Sequence, residues 1–179
     1  MVPYHLHLET LPLSPDSTCD TTRIQGLQDL NLSHNYFGGE IPMNLTHCTG
    51  LKALDVRYNE LVGRIPDRLS SLLQLEFLRL GGNHLTGIIP AWIGNFSSLK
   101  TLSLTMNNLH GSIPNELGKL SGLGFFQLYG NNLSGMIPSS IYNNLIYIRL
   151  LCDSKPTART TALGSWPYSS ESRNICRWC

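Results

Sequence analysis

The chain has 179 residues, a formal net charge of +1, and only 14% charged residues against 41% hydrophobic ones. This balance argues against a nucleic-acid-binding arm or a polybasic membrane patch, and the apolar fraction suffices for a folded core. No apolar run approaches the roughly 18 residues that a membrane-spanning helix needs, so we expect no membrane span. We also expect no secretory signal at the start, because a basic segment is missing and polar residues interrupt the apolar positions.

A fixed period organises most of the chain. Residues 1–23 show no period, and we predict an irregular N-terminal segment there. Residues 24–146 are predicted to form one solenoid, because five units of 24 residues follow one another without a gap, at 27–50, 51–74, 75–98, 99–122 and 123–146. Residues 147–179 leave the period, and we predict a partial sixth strand using Tyr147, Leu150 and Cys152, followed by an irregular tail.

Each unit repeats the same residue types when its positions are counted from its first apolar residue. Positions 1, 4 and 6 are apolar, position 9 is Asn, position 13 is Gly, and positions 15 and 16 are Ile-Pro. Apolar residues at positions 4 and 6 alternate with more polar neighbours, which is typical of a strand with one buried face. Such short strands are stable only when successive units stack, so the repeat predicts a parallel sheet in which each unit contacts mainly its neighbours.

The Asn at position 9 occurs in all five units, as Asn35, Asn59, Asn83, Asn107 and Asn131. It lies where each predicted strand must turn, and a buried amide can bond to backbone groups of its own unit and of the adjacent unit. We therefore predict that the five amides form a structural ladder. Gly at position 13 suits a turn that a side chain would hinder, and Pro at position 16 belongs on the irregular side opposite the sheet.

The combined motif, LxxLxLxxNxLxGxIPxxL, resembles the plant-type leucine-rich repeat, as in the unit LKALDVRYNELVGRIPDRLSSLLQ. It is similar to the extracellular repeats of plant receptor-like kinases and receptor-like proteins, including the large immune-type subfamily. The resemblance implies an α/β repeat solenoid, a right-handed curved coil with a parallel β-sheet on its concave face. It also implies signal perception, in plant defence among other processes, by a glycoprotein at the extracellular face of the plasma membrane, with a peptide or protein ligand and a co-receptor ectodomain as partners.

Intact receptors of this kind also carry a signal peptide, a Cys-containing cap, a membrane span and a serine/threonine kinase domain. This chain shows only the repeats, so we expect a truncated recognition module that is not an enzyme. Glycine-rich phosphate loops, kinase catalytic motifs and metal-binding motifs are missing, and we predict no catalytic residue, metal or cofactor. Two alternatives remain open, namely a secreted inhibitor of the polygalacturonase-inhibiting type and a non-functional truncated gene product.

The candidate ligand contacts lie on the predicted concave sheet. Positions 3, 5, 7 and 8 of each unit are expected to project outward rather than build the core. Exposed aromatic and Arg side chains beside small residues are typical of interaction hot spots. The candidate ligand-binding residues are therefore Arg57, Tyr58, Phe77, Arg79, Phe125 and Tyr129.

Four N-x-[ST] sequons are candidate glycosylation sites, at Asn31, Asn44, Asn95 and Asn132. They require passage through the secretory pathway, and short polar triplets also arise by chance in repeats rich in Asn and Ser. Asn31 falls on the predicted concave strand face, where a glycan would obstruct binding.

Overall fold

The computed structural model describes residues 27–141 and the backbone of residues 147–149. The predicted irregular N-terminal segment and most of the predicted tail lie outside the described residues, as do Leu150 and Cys152 of the expected sixth strand. The five units are called coils 1 to 5 below, each with the 24 positions defined by the repeat.

One parallel sheet runs through all the coils. Its strands are β1 Asp29–Asn31, β3 Ala53–Asp55, β5 Phe77–Arg79, β7 Thr101–Ser103, β9 Phe125–Gln127 and β11 Tyr147–Arg149. They pair in the order β1-β3-β5-β7-β9-β11. Leu30 pairs with Leu54 and Leu54 with Leu78, so each strand is displaced from its neighbour by one whole unit. The predicted solenoid with its parallel sheet is confirmed.

A second row of strands, which the sequence reasoning did not predict, follows the first in each coil. These strands are β2 Gly38–Glu40, β4 Glu60–Val62, β6 Thr86–Gly87, β8 Asn108–Gly111 and β10 Asn132–Leu133. They form a two-stranded sheet, β2-β4, and a three-stranded sheet, β10-β8-β6, and an isolated bridge between Arg64 and Thr86 spans the gap. The alternation of exposed Glu60, buried Leu61 and exposed Val62 is the local signal that could have indicated these strands.

Short 3₁₀ helices close the side of each coil opposite the main sheet. They comprise Met43–His47, Asp67–Ser71, Ala91–Asn95, Asn115–Lys119 and Ser139–Ile141. The Pro at position 16 comes directly before each helix, and Pro66 for example has an extended backbone with φ −69°. Its carbonyl oxygen accepts a hydrogen bond from the backbone N–H of Leu69, while its missing N–H is not needed by any sheet.

The core is one continuous cluster that is filled from all three sides of the coil. Leu78 comes from the main sheet, Leu61 from the second row of strands and Ile93 from the 3₁₀ helix, and each is fully buried. Burying a side chain of this size stabilises the fold by about 1.5–3 kcal/mol. Because equivalent residues repeat in neighbouring coils, the core runs the length of the described solenoid.

The amide of Asn83 joins two successive coils. Its Oδ1 accepts a hydrogen bond from the backbone N–H of Leu61 in coil 2 at 3.0 Å. Its Nδ2 donates to the carbonyl oxygens of Val56 in coil 2 and Leu80 in coil 3, each at 3.0 Å. The Asn83 side chain thus supplies hydrogen-bond partners to backbone groups that face the interior and do not pair with a neighbouring strand.

The other asparagines at position 9 extend the ladder with different degrees of burial. Asn59 and Asn107 repeat the pattern of Asn83 and are buried like it. Asn131 bonds in the same way and is partly buried, whereas Asn35 is exposed. The ladder therefore joins each coil from the second onward to the coil before it.

The glycines at position 13 meet two requirements at once. All five have φ between 78° and 85°, a left-handed conformation that disfavours any other residue. A Cβ placed on Gly87 would also lie only 3.1 Å from Cγ of Arg64 in the preceding coil. The side chain at position 14 of one coil therefore leans across the bare backbone of the next.

Replacing Asn83 by Ala should lower the free energy of unfolding by about 3 kcal/mol, because buried backbone groups in two coils lose their partner. Asn35→Ala is the matched control, since the hydrogen bonds described for Asn35 are to the carbonyl oxygens of Leu32 and Ser33 in its own coil. Urea denaturation followed by circular dichroism measures both values. Equal losses in the two variants would contradict the role of the ladder in joining coils.

Candidate ligand-binding face

The concave face is defined here as the surface formed by positions 3, 5, 7 and 8 of coils 2 to 5. Parallel pairing of β3 with β5 places Asp55 directly beside Arg79, and Arg57 and Tyr58 follow β3 at the turn. Four of the six candidate ligand contacts, Arg57, Tyr58, Phe77 and Arg79, thus belong to adjacent coils. Phe125 and Tyr129 lie two coils beyond Phe77 and Arg79.

A buried carboxylate organises the cationic part of the face. Asp55 is only 4% exposed, and the Arg57 guanidinium donates to it through Nε at 2.9 Å and Nη2 at 2.7 Å. The backbone N–H of Arg57 adds a third hydrogen bond to Oδ1 at 3.2 Å. Nη1 of Arg79 approaches Oδ2 from the next coil at the longer distance of 3.5 Å. Arg57 is therefore held in a fixed fork, and Arg79 is held less tightly.

Arg79 also lies over an aromatic ring. Its guanidinium carbon is 5.1 Å from the centroid of Phe77, a distance that gives a favourable cation–π interaction. About a third of each arginine side chain stays exposed, 35% for Arg57 and 33% for Arg79. Two guanidinium groups thus share one buried carboxylate, and the surface keeps a net positive charge there.

These contacts shift the pKa of Asp55 downward. Burial alone raises the pKa of the Asp55 carboxyl, but hydrogen bonds from the side chain and backbone of Arg57 lower it, as do the charges of Arg57 and Arg79. The lowering effects together exceed the effect of burial, so the pKa lies below its usual value of 3.8. The carboxylate is consequently ionised throughout the neutral and mildly acidic range.

Tyr58 is held in a strained and exposed position. Its backbone has φ 54°, which is rare for a bulky residue, and the residue remains 43% exposed. Its ring stacks on His34 of the preceding coil with centroids 4.5 Å apart. On the other side, a Cβ placed on Gly82 would lie only 2.6 Å from Cδ1 of Tyr58. The ring is therefore fixed between His34 and the bare backbone of Gly82.

Met106 repeats this arrangement two coils later. It has φ 51°, it is 51% exposed, and a Cβ placed on Gly130 would lie 3.2 Å from its Cγ. Sequence reasoning did not select Met106 or His34, and it did not anticipate that Asp55 is buried. The glycines at position 8, Gly82 and Gly130, could have indicated that this position is left-handed in every coil.

Coil 4 corrects the expectation that positions 3, 5 and 7 always project outward. Thr101, Ser103 and Thr105 are at most 9% exposed, although none belongs to the apolar core. Thr101 lies between Phe77 and Phe125, and Ser103 lies between Arg79 and Gln127, which are all longer side chains of the flanking coils. Of the remaining predicted contacts in coil 5, Phe125 is exposed and Tyr129 is half-buried.

The four sequon asparagines lie on different surfaces. Asn31 is exposed on β1, but its Oδ1 accepts hydrogen bonds from the backbone N–H and the hydroxyl of Ser33. Asn44 is half-buried in the first 3₁₀ helix, whereas Asn95 ends the third 3₁₀ helix and is exposed. Asn132 is exposed on β10, in the second row of strands.

Within residues 27–141, no cluster of three or more His, Cys, Asp or Glu side chains has the arrangement of a metal site. No helix in the described part of the chain is long and apolar enough to cross a membrane. The groups on the concave face can bind by charge, stacking and hydrogen bonding.

The fold and the face together define a solenoid of short parallel strands with a polar and aromatic recognition surface. Residues 74–133 match the family described as "Leucine rich repeat", and residues 26–48 and 50–72 match its single-unit form. The chain belongs to the leucine-rich-repeat family. No curated protein matches it by sequence.

Among solved structures, these repeats are similar to plant receptor ectodomains. A chain of the BIR3–SERK2 complex from Arabidopsis thaliana is 38% identical with a TM-score of 0.62, and the match covers 69% of this chain and 71% of that one. The Arabidopsis receptor kinase HAESA, in complex with the peptide hormone IDA and the co-receptor SERK1, is 35% identical with a TM-score of 0.68 over 70% of this chain. The plant peptide hormone receptor RGFR1 in complex with RGF2 is 41% identical with a TM-score of 0.66 over 68% of this chain.

The chain spans only part of the longer relatives, 21% of the HAESA chain and 20% of the RGFR1 chain. Its repeats are therefore equivalent to a segment of those larger solenoids.

Asp55→Asn should make stability less sensitive to acid. Because the folded pKa of Asp55 is lowered, its contribution is fully present above the unfolded pKa near 3.8 and is lost as the pH falls through the folded pKa. We expect the free energy of unfolding to fall less steeply in the variant between about pH 5 and pH 2. Urea titrations across this range measure the slope, with Glu60→Gln, an exposed carboxylate on β4, as the control. Identical slopes for wild type and Asp55→Asn would contradict the prediction.

Proposed function

We propose that the chain is a peptide-recognition module that binds its ligand on the concave face without catalysis of its own. The ligand contacts in this proposal are Arg57, Tyr58, Phe77, Arg79, Phe125 and Tyr129. The proposal is supported by relatives with the same repeats that were solved with peptides bound, HAESA with IDA and RGFR1 with RGF2. In an intact receptor, binding here would be relayed across the plasma membrane to a kinase, with a co-receptor ectodomain as second partner.

The observation that carries the proposal is the preorganised cation at Arg79. Its guanidinium is positioned by Phe77 beneath it and by Asp55 at its edge, yet a third of the side chain faces solvent. Preorganised groups lose little conformational freedom on binding, so more of their interaction energy contributes to affinity. An exposed charge held in this way is not needed for folding of the solenoid, so we infer that it serves ligand binding.

The roles of the two arginines differ in this proposal. Arg57 uses its fork on Asp55 and mainly fixes the local structure, whereas Arg79 makes one long contact and has further N–H donors for a ligand. The net positive charge favours a peptide that carries an anionic group near this point. Phe125 and Tyr129 add apolar and hydroxyl contacts two coils away.

A display experiment tests the proposal without a known ligand. Peptides of about 16 random residues displayed on phage are selected on the full chain, and the selected sequences are synthesised for fluorescence anisotropy. Arg79→Gln and Phe125→Ala should each weaken binding at least about tenfold, as loss of a charged hydrogen bond or a buried aromatic contact predicts. Arg68→Gln, an exposed arginine on the second 3₁₀ helix, is the control and should leave affinity unchanged. If no selected peptide is weakened by the two concave-face variants, the proposal fails.

We also propose that the module works at the extracellular face of the plasma membrane and carries glycans. Asn95 and Asn132 are the most suitable of the four sequons, because both are exposed and lie away from the concave face. Asn44 is half-buried, and a glycan on Asn31 would stand on β1 at one end of the face.

Expression of the chain behind a heterologous secretion signal tests the glycan assignment. Endoglycosidase treatment should lower the mass of the secreted protein, and the double variant Asn95→Gln with Asn132→Gln should lose most of that shift. The double variant Asn31→Gln with Asn44→Gln is the matched control and should keep it. A wild-type mass that does not respond to the enzyme would refute the assignment.

A further inference from the structure

Large and small side chains alternate from coil to coil on the concave face. At position 3, Phe77 and Phe125 of coils 3 and 5 flank Thr101 of coil 4, and β5, β7 and β9 pair so that the three residues lie directly side by side. At position 5, Arg79 and Gln127 of the same two coils flank Ser103. Both ends of the main-sheet strands are thus bulky in coils 3 and 5 and recessed in coil 4.

At position 8, the large residues lie in the coils that have small residues at positions 3 and 5. Tyr58 and Met106 are large and belong to coils 2 and 4, whereas Gly82 and Gly130 belong to coils 3 and 5. The ring of Tyr58 lies against Gly82, and the side chain of Met106 lies against Gly130. Across coils 2 to 5, both rows therefore repeat every second coil, and they are offset from each other by one coil. In coil 1, position 8 is also large, because His34 stacks on Tyr58.

Close packing explains why large and small side chains alternate between coils. It does not explain why several of the large side chains remain exposed. Neighbouring strands are about 4.8 Å apart, so large side chains in register must either stack, as His34 and Tyr58 do, or be separated by small ones. Phe125, Tyr58 and Met106 nevertheless remain 41%, 43% and 51% exposed. Tyr58 and Met106 are also kept in left-handed backbone conformations, which disfavour large residues. Exposed apolar groups with a regular spacing are more useful to a ligand than to the fold.

The spacing of these groups matches polyproline II better than the other extended conformation, a β-strand. Two coils span about 9.6 Å along the solenoid. A polyproline II helix has three residues per turn and rises about 3.1 Å per residue, so every third side chain returns to the same side after about 9.3 Å. A β-strand returns to the same side after two residues, or about 6.7 Å, which matches neither one coil nor two.

We propose that the ligand of the concave face is a peptide segment in the polyproline II conformation that crosses the strands. Every third residue of the segment is apolar and contacts an alternate coil, at Phe77 and Phe125 in one row or at Tyr58 and Met106 in the other. The residues between them keep the segment extended, and proline serves this best because its φ is already fixed. This inference rests on the proposed function and specifies the class of peptide that the face accepts.

Two peptides of identical composition test the period. One is fluorescein-labelled (Leu-Pro-Pro)₄, and the other contains the same leucines and prolines rearranged so that no two leucines stand three or six residues apart. Anisotropy titration with the full chain should give at least about tenfold tighter binding of the period-three peptide, equivalent to about 1.4 kcal/mol. The double variant Tyr58→Ala with Met106→Ala, or Phe77→Ala with Phe125→Ala, should abolish the preference.

The matched control is Val62→Ala with Ile88→Ala, because these exposed apolar residues lie at positions 12 and 14, away from the concave face. This control variant should keep the preference for the period-three peptide. Equal affinity of the two peptides, or no binding of either, overturns the polyproline II assignment. Loss of binding in the control variant that is as large as in the concave-face variants overturns it as well.

The display experiment distinguishes failure of this inference from failure of the proposed function. Selected peptides that depend on Arg79 and Phe125 but show no three-residue apolar period would retain the concave-face function and reject the ligand conformation. Selected peptides that depend on neither residue would reject both.

Discussion

The structure depends on one side chain per coil, the amide at position 9. Asn83 accepts a hydrogen bond from coil 2 and donates to carbonyl oxygens of coils 2 and 3, so a single residue joins coils that are otherwise held by short strands and apolar packing. Strands of two to four residues supply few backbone hydrogen bonds each, and the turns between them leave further groups inside the solenoid. The amides satisfy those groups where water is excluded, and this makes a narrow coil with three faces possible.

The turn that follows each strand of the main sheet also fixes the backbone at position 8 of the concave face. The amide of Asn59 donates to the carbonyl oxygens of Val56 and Arg57, which are positions 6 and 7 of its own coil, and so folds the chain back immediately after the strand. Position 8 lies inside this fold and takes a left-handed conformation in every coil, whatever its side chain. Glycine accepts that conformation freely, whereas Tyr58 and Met106 adopt it under strain. The turn at each ladder Asn therefore stabilises the coil and also fixes the direction of the exposed side chains of His34, Tyr58 and Met106.

Features that each unit encodes by itself were predictable from the sequence. The period indicated the parallel sheet, the buried leucines and the position of the asparagines, because identical units must stack in register. It did not predict the second row of strands, since a single leucine marks a strand there, as Leu61, Leu109 and Leu133 do, and each strand has at most four residues. Nor did it predict the burial of Asp55, which depends on Arg79 from the next coil, or the burial of Thr101, which depends on the sizes of its neighbours in coils 3 and 5. Such properties arise between units rather than within them.

Contacts between units also limit how the ligand face can change. An exposed concave-face side chain such as Phe125 lies outside the buried core, so its replacement should alter binding with little effect on stability. Asp55 and Gly82 are the exceptions, because each couples two adjacent coils. Asp55 compensates two guanidinium charges from coils 2 and 3, and removing it leaves Arg57 and Arg79 to repel each other. Gly82 leaves the space that the Tyr58 ring occupies, so any side chain there would displace that ring. Specificity can thus vary freely at Phe125 or Tyr129, but it is constrained wherever a charge or a ring is shared between coils.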